Sequence, residues 1–219
     1  MNDIEILSLT FVGKHLEFDT IYTLKFNPQQ SVRFEAGQWV HLGLPTETRD
    51  KSMVRHMSFA SAPDDKFIEF TMDLGSGTPY KEGLSALKAG DTVRAFKIRG
   101  EFCIDPSSTS EVVFLAGGLG ITPVRAIVRN LKNKGLYAQW SLLHVARTNF
   151  LYEEELSTFP NTQCRVHHPG LDSVWETILG KSADTLFYLS GSARFVDGMK
   201  EKLLASNIQN TQIRTESFK

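Results

Sequence analysis

The sequence is poor in cysteine and contains no long apolar run, and both absences exclude classes of protein. Its 219 residues include two cysteines, Cys103 and Cys164, too few for the four ligands of an iron–sulfur cluster or a structural zinc site. Runs such as Val112–Ala116 are far shorter than the ~20 residues of a membrane span. The first residues also lack the pattern of a secretory signal. We therefore expect a cytoplasmic protein with no membrane span and no disulfide framework.

The sequence also has no excess of positive or negative charge. The chain carries 24 basic and 25 acidic residues, a formal net charge of −1, whereas proteins that coat nucleic acid are strongly basic. The six histidines form no helical pair of the kind that binds zinc beside an acidic residue, so we expect no metal site. A hydrophobic content of 41% and an aromatic content of 11% are ample for a packed core.

The first hundred residues predict short strands. Ile4–Val12, Thr20–Phe26 and Phe67–Met72 alternate or run apolar at strand length, and turn-forming residues such as those at 89–91 separate them. Only Tyr80–Lys88 suggests a short helix. Many short strands joined by close turns indicate a small antiparallel β-barrel.

The pattern changes after the polar stretch 105–110. Glu111–Ala116 is a predicted strand that is apolar from Val112 onward, and Thr122-Pro123 then predicts a helix with Thr122 as N-cap and Pro123 as first residue. Further predicted elements alternate: strands Trp140–Val145, Gln163–His167 and Thr185–Leu189, and helices Tyr152–Thr158, Ser173–Leu179 and Phe195–Ala205. This alternation predicts a parallel, Rossmann-like α/β sheet. We expect two domains, a barrel at 1–106 and the α/β domain at 107–219.

Two glycine-bearing turns follow strands of the second domain. Gly117-Gly118-Leu119-Gly120 joins a buried strand to a helix, where a backbone without Cβ atoms and a helix N-terminus suit a phosphate or diphosphate. Taken alone, this turn is equally compatible with a tight strand–helix junction that binds nothing. Ser190-Gly191-Ser192 follows the last predicted strand of the alternating half. Because the carboxyl ends of parallel strands surround the ligand crevice, the two turns together favour a nucleotide.

Several motifs, in order along nearly the whole chain, are similar to those of one family. They are Arg55-His56-Met57-Ser58, Gly117-Gly118-x-Gly120-x-Thr122-Pro123, Ala146-Arg147 with Glu155-Leu156, Tyr188-x-Ser190-Gly191, and Ile213–Phe218. They resemble the flavin, nicotinamide-nucleotide, ribose and C-terminal segments of the ferredoxin–NADP(+) reductase superfamily. The resemblance implies a barrel that binds FAD and an α/β domain that binds NAD(P)H.

On the flavin side, the resemblance implies that Arg55 pairs with the diphosphate of FAD and that Ser58 donates a hydrogen bond to flavin N5. Met57 stands where the family has an aromatic residue, and Lys81 where it has serine; an exposed lysine at a helix start is the alternative for Lys81. The residues implied to contact FAD are Arg55, His56, Met57, Ser58, Thr71, Met72, Pro79, Tyr80 and Lys81.

On the nucleotide side, the resemblance implies that Arg147 meets the adenosine ribose or a 2′-phosphate. Ser190 replaces a frequent cysteine beside the nicotinamide. Glu216 matches a carboxylate that lies near the flavin in some family members, where it would relay a proton, and Phe218 would shield the flavin. A surface arginine and a surface glutamate are the alternatives for Arg147 and Glu216. The residues implied to hold NAD(P)H are Gly117, Gly118, Gly120, Thr122, Pro123, Arg147 and Gly191.

The resemblance implies an enzyme in which Ser58, Ser190 and Glu216 take part in catalysis. NAD(P)H would give hydride to FAD, and the electrons would pass to a separate acceptor such as ferredoxin or flavodoxin. Two alternatives stay open at this point. One is an NAD(P)H:flavin reductase that uses free flavin as substrate. The other is a non-catalytic flavin- or nucleotide-binding subunit, since Ser190 and Ser192 replace the cysteine and proline of the family segment.

Overall fold

Two compact units make up the structure, a computed structural model. It describes residues 6–45, 50–75, 77–105, 110–136, 140–159, 162–167, 175 and 184–218. The units are Met1–Cys103 and Ile104–Lys219, and each contains its own sheet. The first sheet is antiparallel and the second is parallel, so the predicted fold class is confirmed. The boundary at 106–107 and the ligand assigned to each domain stay predictions.

The first unit is a curled antiparallel sheet of six strands in the order β4-β3-β6-β1-β2-β5. The strands are β1 (Ile6–Phe18), β2 (Ile21–Pro28), β3 (Trp39–Gly43), β4 (Val54–Ser58), β5 (Ile68–Asp73) and β6 (Thr92–Arg99). Just beyond β4, the Ala60 N–H donates to the Glu69 carbonyl of β5 at 2.8 Å. This bond joins the two outermost strands, so the sheet curls into the barrel that the strand pattern predicts.

Alternate residues of the strands fill the inside of the first unit. Leu7, Leu9 and Phe11 of β1 are buried while their neighbours are more exposed, as a strand with one face on the core requires. The rings of Phe11 and Phe26 lie 5.4 Å apart, and those of Phe26 and Phe70 lie 5.9 Å apart. Tilted and edge-on ring pairs of this kind add to the free energy of burial.

One short helix, α1 (Pro79–Ala86), packs against the barrel. Thr78 is its N-cap, with a side chain that accepts from the Lys81 N–H at 3.4 Å, and Pro79 is the first helical residue, where its missing N–H costs no hydrogen bond. Tyr80 and Leu84 form the buried face. The Tyr80 hydroxyl donates to the Leu42 carbonyl of β3 at 3.0 Å, which fixes the start of the helix against the sheet.

The second unit is a parallel sheet of five strands in the order β11-β10-β7-β8-β9. The strands are β7 (Val112–Gly117), β8 (Trp140–Ala146), β9 (Thr162–His167), β10 (Leu186–Ser192) and β11 (Ile213–Phe218), and the helices are α2 (Ile121–Asn133), α3 (Glu153–Ser157) and α4 (Ala193–Ala205). The predicted helix Ser173–Leu179 lies outside the described residues except for Trp175. From β7 the chain runs to β8 and β9 on one side, then returns to β10 and β11 on the other.

The predicted start of α2 is wrong. The helix begins at Ile121 with Gly120 as N-cap, directly after a 3₁₀ turn at Gly118–Gly120. Thr122 is therefore the second helical residue and not the cap. The reason is that the 3₁₀ turn already carries the chain into helical geometry before Thr122 is reached. Pro123 is the third helical residue, a position whose N–H has no acceptor within the helix in any case.

Charged side chains attach α3 to α2. Glu155 accepts from the Nε of Arg125 at 2.7 Å and from a terminal nitrogen of Arg129 at 2.8 Å. The Arg125 guanidinium also lies 4.4 Å from the centre of the Tyr152 ring. Since Arg125 is almost fully buried, its charge needs both partners. These contacts set where the chain enters α3 after leaving β8.

Replacement of Tyr80 by phenylalanine tests how α1 is held. The variant keeps the ring and loses the donor to the Leu42 carbonyl, so we expect the free energy of unfolding to fall by about 1–2 kcal/mol. Urea denaturation of the protein without added nucleotides measures this change. The matched control is Tyr22→Phe at a half-buried ring of β2, for which we expect a change below about 0.5 kcal/mol. Equal losses in the two variants would contradict the role given to the Tyr80 hydroxyl.

Candidate functional site

The second sheet has a switch point between β7 and β10, where the chain turns to opposite sides after neighbouring strands. In open α/β sheets, ligands bind outside the carboxyl ends of the strands at such a point. Both glycine turns predicted from the sequence lie there: Gly118–Gly120 directly follows β7, and Gly191 is near the end of β10. The topology therefore places the two turns at one crevice.

Backbone contact between the two turns explains the glycines. A Cβ at Gly120 would overlap the Ser190 carbonyl, and one at Gly117 would lie 2.6 Å from the Phe195 ring. Gly191 has φ +148, and its Cβ would lie 2.9 Å from the Gly117 carbonyl. Only glycine allows the chain to pass this closely. Gly118, with φ +54, is exposed, and a Cβ there would meet nothing within 4 Å, so the space beside it is open.

Two side chains hold carbonyl groups of the 3₁₀ turn from within the protein. The Ser190 hydroxyl donates to the Gly120 carbonyl at 2.6 Å, and the His144 Nε2 lies 3.1 Å from the Gly118 carbonyl. Burial lowers the pKa of His144 to about 4, so the ring is neutral at pH 7 and its Nε2 carries the proton that the carbonyl accepts. The Ser190 hydrogen is thus used inside the protein, and the role of Ser190 beside a nicotinamide stays a prediction.

Thr122 supplies a buried polar group without a partner. Its side chain is 2% exposed, and among the described residues its hydroxyl has no hydrogen-bond partner. A buried hydroxyl in that state costs about 1–3 kcal/mol, and native proteins contain few such groups. Thr122 lies in the first turn of α2, next to the glycine turn. This observation fits a ligand group at the crevice.

Three further predicted residues lie near the carboxyl ends of the strands. Glu216 of β11 is opposite Ser190, and Phe218 is opposite Ser192. Burial raises the pKa of Glu216 to about 7, so its carboxyl can take up and release protons near neutral pH. Arg147 is exposed just after β8. Their roles toward proton, flavin and ribose stay predictions.

In the first unit, Arg55 lies beside the first turn of α1. Its guanidinium is 5.2 Å from the centre of the Tyr80 ring and donates to the Ser52 and Val54 carbonyls, both at 2.8 Å. The two segments predicted to bind the diphosphate of FAD, β4 and Pro79–Lys81, are therefore neighbours. An arginine next to a helix N-terminus suits an anion. The Lys81 ammonium lies 3.9 Å from the Asp73 carboxylate.

The remaining residues predicted to contact FAD are largely buried. Met57 and Met72, each 8% exposed, belong to the core of the first unit. The Thr71 hydroxyl shares a hydrogen bond of 2.7 Å with Thr23, and Ser58 is 9% exposed at the end of β4. Met57 thus packs into the core at the position where the family motif has an aromatic ring. The flavin contacts of these residues stay predictions.

An aromatic cluster on β3, β4 and β6 was missed by the sequence interpretation. His56, predicted only as part of the flavin motif, lies with its Nε2 2.9 Å from the Nε2 of His41. Its ring stacks on Trp39 at 4.4 Å, and His41 stacks on Phe96 at 5.3 Å. Burial and the neighbouring His56 lower the pKa of His41. Only the register of β3 with β4, which places His41 opposite His56, could have revealed the cluster.

Within the described ranges, no three residues among His, Cys, Asp and Glu come together to hold a metal ion. In the same part of the chain, no helix has the length and apolar character needed to cross a membrane.

Known proteins share both the fold and part of the sequence. No family model matches the chain. A ferredoxin–NADP reductase B from Sorangium cellulosum is 34% identical over 141 residues, 62% of this chain and 56% of the relative. A flavohemoprotein from Rhizobium meliloti is 25% identical over 239 aligned residues, 94% of this chain and 58% of the relative. These relatives are ferredoxin–NADP reductases and flavohemoproteins, which fits the resemblance of the chain's motifs to the ferredoxin–NADP(+) reductase superfamily.

Solved structures share the fold of this chain. The Amycolatopsis cytochrome P450 reductase GcoB superposes with a TM-score of 0.82 at 21% identity, over 98% of this chain and 70% of that one. A ferredoxin NADP+ reductase from Neisseria gonorrhoeae with bound FAD and NADP gives 0.80 at 18% identity, over 97% of this chain and 98% of that one. The chain spans only about half the length of the curated relatives, between 43% and 58% for the first four.

Two glycine-to-alanine replacements test the backbone contact between the two glycine turns. Gly120→Ala puts a Cβ into the Ser190 carbonyl, and we expect the free energy of unfolding to fall by about 3 kcal/mol. Gly198→Ala in α4 is the matched control because its Cβ would meet nothing within 4 Å, and we expect a gain of up to about 1 kcal/mol. Chemical denaturation measures both. A Gly120→Ala protein as stable as the wild type would show that the turns do not touch.

The pH dependence of stability tests the two shifted pKa values. Between pH 6.5 and pH 4 the unfolded state binds a proton that buried His144 refuses, so His144 lowers stability as the pH falls, by up to about 3 kcal/mol. Glu216 acts in the opposite sense: the folded state keeps a proton that the unfolded state releases above pH 4.5, so stability falls as the pH rises toward 7. In the wild type the two effects oppose each other.

Single variants separate these effects. We expect His144→Gln to lose stability as the pH rises from 4.5 to 7, since only Glu216 then contributes, and Glu216→Gln to gain stability over the same range. Denaturation midpoints at several pH values give the two slopes, and groups common to both variants cancel in the comparison. Parallel slopes in the two variants would contradict the assigned protonation states.

Proposed function

We propose that this chain is an NAD(P)H-dependent flavoprotein oxidoreductase. The first unit binds FAD, the second binds NAD(P)H, hydride passes from the nicotinamide to the flavin, and the electrons leave for a separate acceptor such as ferredoxin or flavodoxin. The observation that carries the proposal is the pair of glycine turns at the switch point of the second sheet, with the unpartnered hydroxyl of Thr122 beside them. Such a crevice fits a dinucleotide.

The second unit binds the dinucleotide mainly through its backbone. The first N–H groups of the turn that leads into α2 have no acceptor within the helix, and the start of a helix attracts negative charge. The glycines let a diphosphate approach these groups without meeting a Cβ. Thr122 offers a hydroxyl to the ligand, and Arg147 at the exposed end of β8 provides a positive charge for the ribose or its 2′-phosphate. The names of the relatives, which include NADP and NADH reductases, support this assignment.

The first unit has residues that fit FAD. Arg55 and the first turn of α1, with Pro79, Tyr80 and Lys81, form a positive cradle for its diphosphate. Ser58 ends β4, where its hydroxyl can donate to the flavin and orient it. Once bound, FAD supplies the redox chemistry, while the chain positions it and the nicotinamide for transfer.

Glu216 is the proposed site of proton exchange. Its half-buried carboxyl has a pKa raised to about 7, so a large fraction is protonated at neutral pH and the proton can leave or return with little change in free energy. Its place opposite Ser190 on β11 puts it at the carboxyl end of the second sheet, where the proposed nucleotide binds.

A separate protein is the proposed electron acceptor. Within these 219 residues there are two cysteines, too few for an iron–sulfur cluster of the chain's own. The relatives are named for different roles, among them a reductase component of phenol 2-monooxygenase and an NADH-cytochrome b5 reductase. We propose that this chain likewise serves as the reductase that passes electrons to one partner protein.

Met57 favours a second candidate, an NAD(P)H:flavin reductase that uses free flavin as substrate. Its side chain packs into the core of the first unit, so the motif offers no aromatic ring to stack on a flavin. Weaker stacking would let the flavin dissociate after reduction. The two candidates differ in whether the flavin remains bound through a catalytic cycle.

Anaerobic stopped-flow mixing of the purified, FAD-loaded protein with NADPH and with NADH tests the proposed function. We expect the flavin absorbance to bleach with at least one nucleotide and to return on adding oxidised ferredoxin or flavodoxin. Absence of bleaching with either nucleotide would overturn the enzymatic proposal and support a non-catalytic binding subunit. Loss of FAD on gel filtration, with turnover restored by added free flavin, would support the flavin reductase instead.

An arginine variant tests the FAD site separately. We expect Arg55→Ala to raise the dissociation constant for FAD about tenfold or more, because a charge-assisted contact to the diphosphate is lost. The matched control is Arg94→Ala, which removes an exposed arginine of β6 and leaves FAD affinity unchanged. Fluorescence titration with FAD measures both values, and equal affinities in the two variants would place the diphosphate elsewhere.

A further inference from the structure

His144 is a polar side chain that is buried inside a strand, and its role in the strand does not explain why a histidine is there. It lies on β8, inside the parallel sheet, with a side chain that is 1% exposed. Its Nε2 is 3.1 Å from the Gly118 carbonyl, and the Phe150 ring packs edge-on against it at 5.3 Å. A polar ring is thus buried with its donor directed at the backbone of the glycine turn.

Apart from His144, a backbone hydrogen bond from Ile121 holds the Gly118 carbonyl, and no side chain at 118 fixes the peptide. Gly118 has φ +54 and no side chain, and a Cβ there would meet nothing within 4 Å. A glycine peptide with open space around it can rotate at small cost. The Gly118 carbonyl also accepts the Ile121 N–H, so the contact with His144 occupies its second acceptor position.

The geometry of the peptide group connects this contact to the ligand. A trans peptide is planar, and its C=O and N–H bonds point in opposite directions. When His144 holds the Gly118 carbonyl toward the protein interior, the N–H of Leu119, which belongs to the same peptide, points the opposite way. That N–H is among the first of the turn that leads into α2, so it has no acceptor within the helix.

We propose that His144 is a positioning residue of the nucleotide site, which holds the Gly118–Leu119 peptide so that the Leu119 N–H faces the diphosphate of NAD(P)H. This inference rests on the proposed function, because it assigns the anion at the turn to the dinucleotide. His144 itself does not touch the nucleotide. Its effect is to keep a donor oriented before the ligand arrives, so that binding does not have to order the turn.

A role in packing alone would have different consequences. Any side chain that fills the same volume would then serve, and a hydrogen-bond donor at that point would be unnecessary. The burial that lowers the pKa of His144 keeps the ring neutral at physiological pH, with one nitrogen protonated and directed at the carbonyl. The donor is therefore the property to test, and it can be separated from side-chain volume.

Glutamine and asparagine at position 144 are both polar amides, but only glutamine is long enough to contact the Gly118 carbonyl. In His144→Gln, the terminal amide can take the place of Nε2 and donate to the Gly118 carbonyl, whereas in His144→Asn it is one methylene shorter and falls short. We expect His144→Asn to raise the dissociation constant for NADP+ or NAD+ and the KM for the reduced nucleotide about tenfold. The rate of flavin reduction at saturating nucleotide should stay within about threefold, and His144→Gln should stay within about threefold of the wild type throughout.

Isothermal titration of the FAD-loaded proteins with NADP+ and NAD+ gives the affinities, after FAD content and unfolding midpoints have been compared. His144→Leu is measured in parallel as a second variant that cannot donate to the Gly118 carbonyl. The test can then be made if either His144→Asn or His144→Leu folds. Equal affinity in all folded variants, or an equal loss in Gln and Asn, would overturn the proposal. A wild-type protein that binds neither nucleotide would instead overturn the proposed function, and the affinity of the wild type identifies that case.

Discussion

Contact between two backbone segments, at Gly120 and Ser190, is the constraint on which the second unit depends. The contact needs a residue without a Cβ at 120, a left-handed glycine at 191 and a small residue at 190 that can donate to the Gly120 carbonyl. It brings the ends of β7 and β10 together, so a crevice forms at the switch point of the sheet. The surface of the crevice is therefore formed mostly by backbone atoms, and the side chains of Ser190 and His144 hold that backbone in place.

The starts of two helices solve the same problem in different ways. At α1 the Thr78 side chain caps the helix, Pro79 begins it, and Arg55 adds a charge from the neighbouring strand. At α2 no side chain caps the helix, and glycines leave the N–H groups open. A capped start with an arginine attracts an anion by charge, whereas an uncapped glycine start binds it by hydrogen bonds at close range. This difference is compatible with the proposal that the first unit binds FAD and the second binds NAD(P)H.

Much of this architecture could be predicted from the residues, and the failures have physical causes. The apolar run at Val112–Ala116 and the glycines after it identified β7 and its turn, because buried parallel strands and close backbone contacts demand those residue types. The start of α2 was misplaced by two residues. Threonine and proline suit the N-cap and the first helical position, but they are equally acceptable at the second and third positions, where Thr122 and Pro123 lie. The strand β3 was not predicted, since five residues beginning at Trp39 carry too little alternation, and without its register His41 could not be placed opposite His56. The contact of His144 with Gly118 joins a residue of β8 to the turn after β7, and local sequence patterns do not show contacts between separate segments.

Burial also sets the charge of the two titratable side chains nearest the glycine turns, His144 and Glu216. His144 is neutral because its ring is enclosed, and Glu216 is partly protonated near pH 7 because its carboxyl is half enclosed. Neither side chain then opposes an approaching diphosphate with a full negative charge or attracts it with a full positive one. In the proposed site, the attraction would come from the N–H groups of the turn and from the exposed Arg147. Because oriented backbone donors act at short range and a charge at the rim acts at longer range, in the proposed site the turn would orient the bound nucleotide and Arg147 would attract it.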